Sequence, residues 1–80
     1  MTTEQIYSQL TEIFRDLFDD DSIVLKPETT AADIRGWDSF NHISLIVASE
    51  MKFKIKFNTA ELESLRNVGN LVDVIKAQVG

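Results

Sequence analysis

The chain has 80 residues, 44% of them hydrophobic and 26% charged, which is enough for one modest core, so we expect a single domain spanning residues 1–80. It has no cysteine, which excludes disulfides, thiolate metal sites and cysteine nucleophiles, and a lone His42 cannot form a histidine-rich metal site. The formal net charge of -5 disfavours binding to nucleic acid, because such binding depends on cations that neutralise phosphates.

The first predicted element is an amphipathic helix over residues 2–18. Thr2 and Gln5 have the spacing of a capping box, and the acidic run Asp19–Asp21 ends the pattern, because the negative end of a helix disfavours acidic charge. At 100° per residue the apolar side chains fall on one arc: Ile6, Tyr7, Leu10, Ile13, Phe14, Leu17 and Phe18.

A long loop is predicted from Ser22 to Asp38, where the helical periodicity vanishes. Thr30 and Asp33 have the spacing that caps one short turn within it. The turn-forming residues are Pro27, Thr29, Thr30 and Gly36, and the expected anchors are Ile23, Leu25, Ile34 and Trp37. A loop this long in so small a domain is usually functional.

A second helix is predicted from Ser39 to about Phe53, with Asp38 as its N-cap. Its apolar residues form two sides. The side expected in the core is Leu45, Ile46 and Phe53, with Ile43 at the margin, and the other side is Phe40, Val47 and Met51. The second side indicates either a helix buried on both sides or an exposed apolar face.

The remaining residues predict a connector and two helices. Residues 53–57 alternate with period two, but one short strand has no partner in the chain, so we expect an extended connector. Asn58 or Thr59 is the expected cap of a short helix through Leu65. Asn67 caps a last helix with the stripe Val68, Leu71, Val72, Ile75 and Val79. The predicted fold is an all-α, small four-helix bundle, with three longer helices and a short third one.

The sharpest motif is Gly36-Trp37-Asp38-Ser39-Phe40, where the long loop meets the second helix. Taken alone, Asp-Ser before a helix is an ordinary cap. The free N–H groups and the dipole of a helix start also favour a phosphate, by a few tenths to about 1 kcal/mol. A phosphodiester on Ser39 would therefore be well placed.

With this motif, the chain resembles the acyl carrier protein family over essentially all its length. The family signature is Asp-Ser-Leu, which Asp38-Ser39-Phe40 fits with Phe in the Leu position. Further matches are Leu25, Thr29-Thr30, Ile43, Leu45-Ile46, Glu50, Phe53, Leu65, Val68 and Leu71. The resemblance implies that a transferase attaches 4'-phosphopantetheine from coenzyme A to Ser39. It also implies that Asp38 helps to bring the transferase and its metal ion to the serine. It implies a carrier of acyl thioesters with no catalytic residue of its own.

The resemblance also assigns roles along the second helix. The expected partner-docking residues are Phe40, Ser44, Val47, Glu50 and Met51. Fatty-acid carriers typically display several acids there, whereas only Glu50 keeps one here and the lysines at 52, 54 and 56 follow. Those lysines indicate a solvated connector or a patch for a phosphate or an acidic partner. The departure makes a specialised carrier for a polyketide, aminoacyl or modified-acyl pathway at least as well supported as a carrier for fatty-acid biosynthesis.

The candidates for an acyl cavity are His42, Ile43, Ile46, Ser49 and Leu62. His42 and Ser49 stand where family members usually have Thr and an apolar residue. They indicate a cavity for a short or polar acyl group, contact of His42 with the phosphate of the arm, or simply a hydrogen-bonded structural histidine. Trp37 is expected to anchor the loop or to flank the arm.

The implied partners are a phosphopantetheinyl transferase and the enzymes that load and process the acyl group. Nine of the 13 acidic residues lie in residues 1–40, so a partner that docks there is expected to be basic. The polar amino terminus and the lack of a long apolar run predict a cytoplasmic protein without a membrane partner, and we expect a monomer.

The alternatives to an acyl carrier are a peptidyl or aminoacyl carrier, and a helical interaction module with no prosthetic group. An enzyme is the weakest, since no nucleophile–base pair or metal-ligand spacing is evident.

Overall fold

The computed structural model describes residues 1–80 and contains four helices and no strand. The helices are α1 (Thr3–Phe18), α2 (Ser39–Phe53), α3 (Thr59–Glu63) and α4 (Val68–Val79). The prediction of an all-α bundle with a short third helix and a long loop between the first two is confirmed. None of the four helices combines the length and the apolar character that a bilayer crossing requires.

The core lies where α1 packs against α2 and α4. The arc predicted for α1 buries Ile6, Leu10 and Phe14 completely. The other helices contribute Leu45, Ile46, Phe53, Val68, Leu71, Val72 and Ile75, and the loops contribute Ile23, Leu25, Ile34 and Phe57. Each such side chain stabilises the fold by about 1.5–3 kcal/mol relative to an exposed one, so burial holds these short helices together.

Local capping sets where α1 begins and ends. The Gln5 N–H donates to Thr2 Oγ1 at 3.1 Å, and the Thr2 N–H donates to Gln5 Oε1 at 2.8 Å, which is the predicted capping box. Asp19 adopts the left-handed conformation, with φ of 50°, and ends the helix. Both predicted ends of the first helix are therefore confirmed.

The long loop is fastened to the start of α4. The Val68 N–H donates to the Thr29 carbonyl at 2.8 Å, and the Gly69 N–H donates to the Pro27 carbonyl at 2.9 Å. A Cβ at position 69 would lie 2.9 Å from the Pro27 oxygen, so this approach requires glycine. The predicted loop anchors are buried at Ile23, Leu25 and Ile34 and half-buried at Trp37.

Residues 53–57 form the end of α2 and a connector, as predicted, and not a strand. Phe53 and Phe57 are buried while Lys54 and Lys56 are exposed, so the alternation records which side chains face the core. Asn58 caps α3 through a capping box, and α3 ends at Glu63 instead of the predicted Leu65. The helix ends early because its last amides bond three residues back, as Leu65 N–H does to Leu62 O at 3.3 Å. Asn67 caps α4 as predicted.

Candidate functional site

The predicted N-cap of α2 is formed by Asp38. Its carboxylate accepts from the Asn41 N–H at 2.8 Å, and its carbonyl accepts from the His42 N–H at 2.8 Å. Ser39 is then the first residue of α2, and it is exposed. No group of the chain hydrogen bonds to the Ser39 hydroxyl, which leaves a primary alcohol open to solvent beside a carboxylate.

A tight turn at Gly36 presents this serine. Gly36 has φ of +89°, a conformation that side chains with a Cβ rarely adopt. Its carbonyl accepts from the Asp38 N–H at 3.0 Å and from Asn41 Nδ2 at 2.7 Å. The turn is thereby joined to the first turn of α2, which fixes the chain direction immediately before Ser39.

Trp37, inside the same turn, anchors the loop to α1. Its ring meets Phe14 edge-on, with centroids 5.2 Å apart, and lies 6.5 Å from Phe18. Its indole N–H donates to His42 Nδ1 at 3.1 Å. Both the expected role of Trp37 as an anchor and a hydrogen-bonded His42 are therefore present.

An open groove of about 440 Å³ lies beside Ser39, between the start of α2 and the connection from α3 to α4. The lining residues that matter here are Trp37, Asp38, Ser39, His42, Arg66 and Asn67. Asn70 Oδ1 accepts from the Arg66 N–H at 3.1 Å, and Asn67 Oδ1 accepts from the Asn70 N–H at 2.8 Å, which holds the far wall in place. The Arg66 side chain forms no ion pair, so one free cation faces a groove that also contains the Asp38 carboxylate.

The five cavity candidates do not come together in this groove. Of them only His42 lines it. Ile46 and Ser49 are buried in the core, where Ser49 Oγ donates to the Leu45 carbonyl at 2.8 Å. Leu62 is 37% exposed on α3, and Ile43, expected at the margin of the core, is 65% exposed, since it lies three residues after Phe40 and four before Val47 on the outer face of α2.

The outer face of α2 is an exposed apolar stripe. It consists of Phe40, Ile43, Val47 and Met51, which are 77%, 65%, 49% and 76% exposed. Of the other two docking candidates, Ser44 is half-buried, and Glu50 Oε2 accepts from the Phe57 N–H at 2.9 Å. The interpretation of α2 as a helix buried on both sides is therefore wrong.

The lysine run at the end of α2 is largely solvated. Lys52 lies 3.8 Å from Glu12 in an ion pair of exposed side chains, which contributes at most about 1 kcal/mol. Lys54 is the left-handed cap of α2, and Lys56 is exposed. These positions fit the interpretation of a solvated connector.

Sequence reasoning missed the far wall of the groove. Arg66 lies between the short α3 and the cap of α4, outside any periodic pattern. Its proximity to Ser39 depends on how α4 packs against the loop, through the bonds from Val68 and Gly69. Only the identification of Asn67 as a cap hinted that a helix start lies there.

Comparison with known proteins gives relatives and a matching fold. No family model matches the chain. The acyl carrier protein of Clostridium acetobutylicum is 32% identical over 72 residues, which cover 90% of this chain and 94% of the relative. That of Thermotoga maritima is 29% identical over 77 residues, covering 96% and 95%. The solution structure of the holo acyl carrier protein from Geobacter metallireducens superposes with a TM-score of 0.86 at 52% identity, covering 91% of this chain and 84% of that one.

Proposed function

The chain belongs to the acyl carrier protein family, and we propose that Ser39 is the residue to which its 4'-phosphopantetheine arm is attached. The observation that carries the proposal is the exposed Ser39 hydroxyl, without a hydrogen-bond partner, at the first residue of a helix capped by Asp38. The likeness to a carrier in its holo form supports the same assignment.

The residues around Ser39 fit such a group. A phosphodiester there would face the unpaired N–H groups of the α2 start, since the Asp38 carboxylate occupies only the N–H of Asn41. The open groove beside Ser39 leaves room for the chain of the arm. When bound, the arm supplies the thiol that this cysteine-free chain lacks.

We infer that the protein holds acyl groups as thioesters and presents them to biosynthetic enzymes without catalysing a reaction itself. Attachment joins the Ser39 oxygen to phosphorus with release of the adenine nucleotide part of coenzyme A, and a separate phosphopantetheinyl transferase performs that step. Asp38 would help to bring the transferase and its metal ion to the Ser39 hydroxyl. We also propose that the chain forms one domain, which the single cluster of 14 buried apolar residues supports, and that it acts as a monomer.

We propose that partner enzymes dock on the apolar stripe formed by Phe40, Ile43, Val47 and Met51. The exposure of all four side chains supports this. Because this face of α2 lacks free acids, the docking surface differs from the acidic one that fatty-acid carriers use. That difference favours a polyketide, aminoacyl or modified-acyl cargo over an ordinary fatty acid.

The attachment is tested by intact mass after incubation with a phosphopantetheinyl transferase and coenzyme A. Wild-type protein is expected to gain the mass of one phosphopantetheinyl group, and Ser39→Ala none. Ser44→Ala and Ser49→Ala are matched controls on the same helix and should still be modified. A wild type that gains no mass under conditions that modify a control carrier would favour a helical interaction module without a prosthetic group.

A further inference from the structure

The bond between Trp37 and His42 fixes which nitrogen of the imidazole carries the proton. The indole nitrogen can only donate, so His42 Nδ1, 3.1 Å away, must be the acceptor. A neutral imidazole that accepts at Nδ1 carries its hydrogen on Nε2. The two ring planes differ by only 17°, which suits a bond in the plane of the imidazole. His42 therefore offers one N–H donor, at Nε2.

Trp37 is itself held in place. Its edge-on contact with the fully buried Phe14 and its contact with Phe18 come from α1, a different element from the one that carries His42. The direction of the indole N–H is thus set by the core and not by the groove. Packing in the core therefore determines the tautomer of His42, through the position of Trp37.

The free nitrogen of His42 is open to solvent. Nε2 has no partner in the chain, and no buried side-chain nitrogen or oxygen lacks one, so Nε2 is accessible to solvent. His42 lies three residues after Ser39, and helical side chains tilt toward the amino end of the helix, that is, toward the serine. Both residues line the same groove.

We propose that His42 Nε2–H donates a hydrogen bond to a phosphodiester oxygen of the arm on Ser39 and that Trp37 is the positioning residue that holds the imidazole in the donating tautomer. This inference rests on the proposed attachment at Ser39. A phosphodiester oxygen is an acceptor only, so it matches the one donor that the bond from Trp37 leaves available. The opposite tautomer would turn a lone pair toward the phosphate.

The test combines two nuclear magnetic resonance measurements, both made at roughly pH 8. In the unmodified wild type, the imidazole ¹⁵N shifts should identify Nδ1 as unprotonated and Nε2 as protonated. Trp37→Phe keeps an aromatic ring but removes the N–H donor, and it should give a mixture of tautomers. A protonated Nδ1 in the wild type would overturn the inference without any need for the arm.

The second measurement is the ³¹P shift of the loaded protein, compared with the same protein unfolded in urea. The wild-type signal should lie away from the unfolded position, return toward it in His42→Leu, and move part of the way in Trp37→Phe. His42→Gln keeps an N–H donor at the corresponding atom and should restore the shift. Ser44→Ala, on α2 but outside the groove, is the control and should match the wild type.

An unchanged ³¹P shift in a folded His42→Leu protein, checked by its amide spectrum, would overturn the phosphate contact. Intact mass separates this failure from failure of the proposed function. Failure of the chain to take up phosphopantetheine would contradict both the proposed function and this inference. A loaded chain whose ³¹P shift does not depend on His42 would contradict this inference alone.

Discussion

The Glu50 carboxylate accepts a hydrogen bond from the backbone N–H of Phe57 at 2.9 Å, across the end of α2. Glu50 is the sole acidic residue of α2, and this bond directs it to the connector that follows the helix. The exposed stripe of Phe40, Ile43, Val47 and Met51 is consequently left without a free carboxylate of its own helix. One residue thus serves the fold and also leaves the exposed apolar stripe without an acid from its own helix.

Replacement of Glu50 tests that structural role. Glu50→Ala leaves the half-buried Phe57 N–H without its partner, so we expect the free energy of unfolding to fall by about 1–3 kcal/mol. Glu50→Gln keeps an acceptor oxygen and should cost less. Urea unfolding measures both, and Glu63→Ala, at an exposed position on α3, should change stability by no more than about 0.5 kcal/mol. Equal effects of Glu50→Ala and Glu63→Ala would contradict the assignment.

The apolar stripe predicts how partners bind. Met51→Ser and Phe40→Ala should raise the KM of a phosphopantetheinyl transferase for the unmodified carrier by roughly 3–10-fold, which corresponds to about 0.7–1.4 kcal/mol of contact energy. The fold should be unaffected, because both side chains are about three-quarters exposed.

Val24, 65% exposed in the long loop and off the stripe, provides the control as Val24→Ser. The rise in KM for the stripe variants should persist at high salt, since apolar contacts are not screened as surface charges are. A rise in KM that disappears on adding salt, or one that Val24→Ser reproduces, would contradict docking on the stripe.

At Gly69 two effects oppose each other. Alanine within a helix is favoured over glycine by about 0.5–1 kcal/mol, whereas a Cβ 2.9 Å from the Pro27 oxygen overpacks a backbone contact at a cost of about 1–3 kcal/mol. The steric cost is the larger, so Gly69→Ala should lower stability and speed hydrogen exchange of the Val68 amide. A variant as stable as wild type would show that the loop yields easily.

The parts of this structure that sequence predicted are those decided locally. Caps such as Thr2 and Asn67 act within four residues of themselves, so the local sequence pattern is sufficient to predict them. The helical period wrongly places Ile43 at the margin of the core, because the periodicity of one helix cannot tell which of two apolar faces its neighbours will cover. The same limit applies to Arg66, which reaches the groove only through the packing of α4 on the loop.

Tyr7, the one tyrosine of the chain, couples stability to alkaline pH. Burial, and then the charges of Asp73 and Glu28, raise its pKa above the ordinary value of 10.0. The folded state therefore favours the neutral phenol, so its contribution to stability is complete below pH 10.0 and is lost as pH rises through the folded pKa. Phenolate absorbance should show Tyr7 titrating higher in the folded than in the urea-unfolded chain, and Tyr7→Phe should lose less stability above pH 10.0. Coincident titration curves would refute this.

A conservative change separates the capping role of Asp38 from the role proposed for it in loading the arm. As an N-cap it accepts from the Asn41 N–H at 2.8 Å, and asparagine caps helices about as well as aspartate, so Asp38→Asn should unfold at the same urea concentration as wild type. Asp38→Ala should lose about 0.5–2 kcal/mol.

Loading of the arm should respond to the charge and not to the cap. If the carboxylate helps the metal ion of the transferase meet Ser39, then Asp38→Asn should be loaded about tenfold more slowly or worse, a rise of roughly 1.4 kcal/mol in the barrier. Asp73→Asn removes an equal charge from an exposed site on α4 and should load like the wild type. Full-rate loading of Asp38→Asn would leave Asp38 with its capping role alone, while slow loading of a variant that folds normally assigns the defect to the lost carboxylate charge.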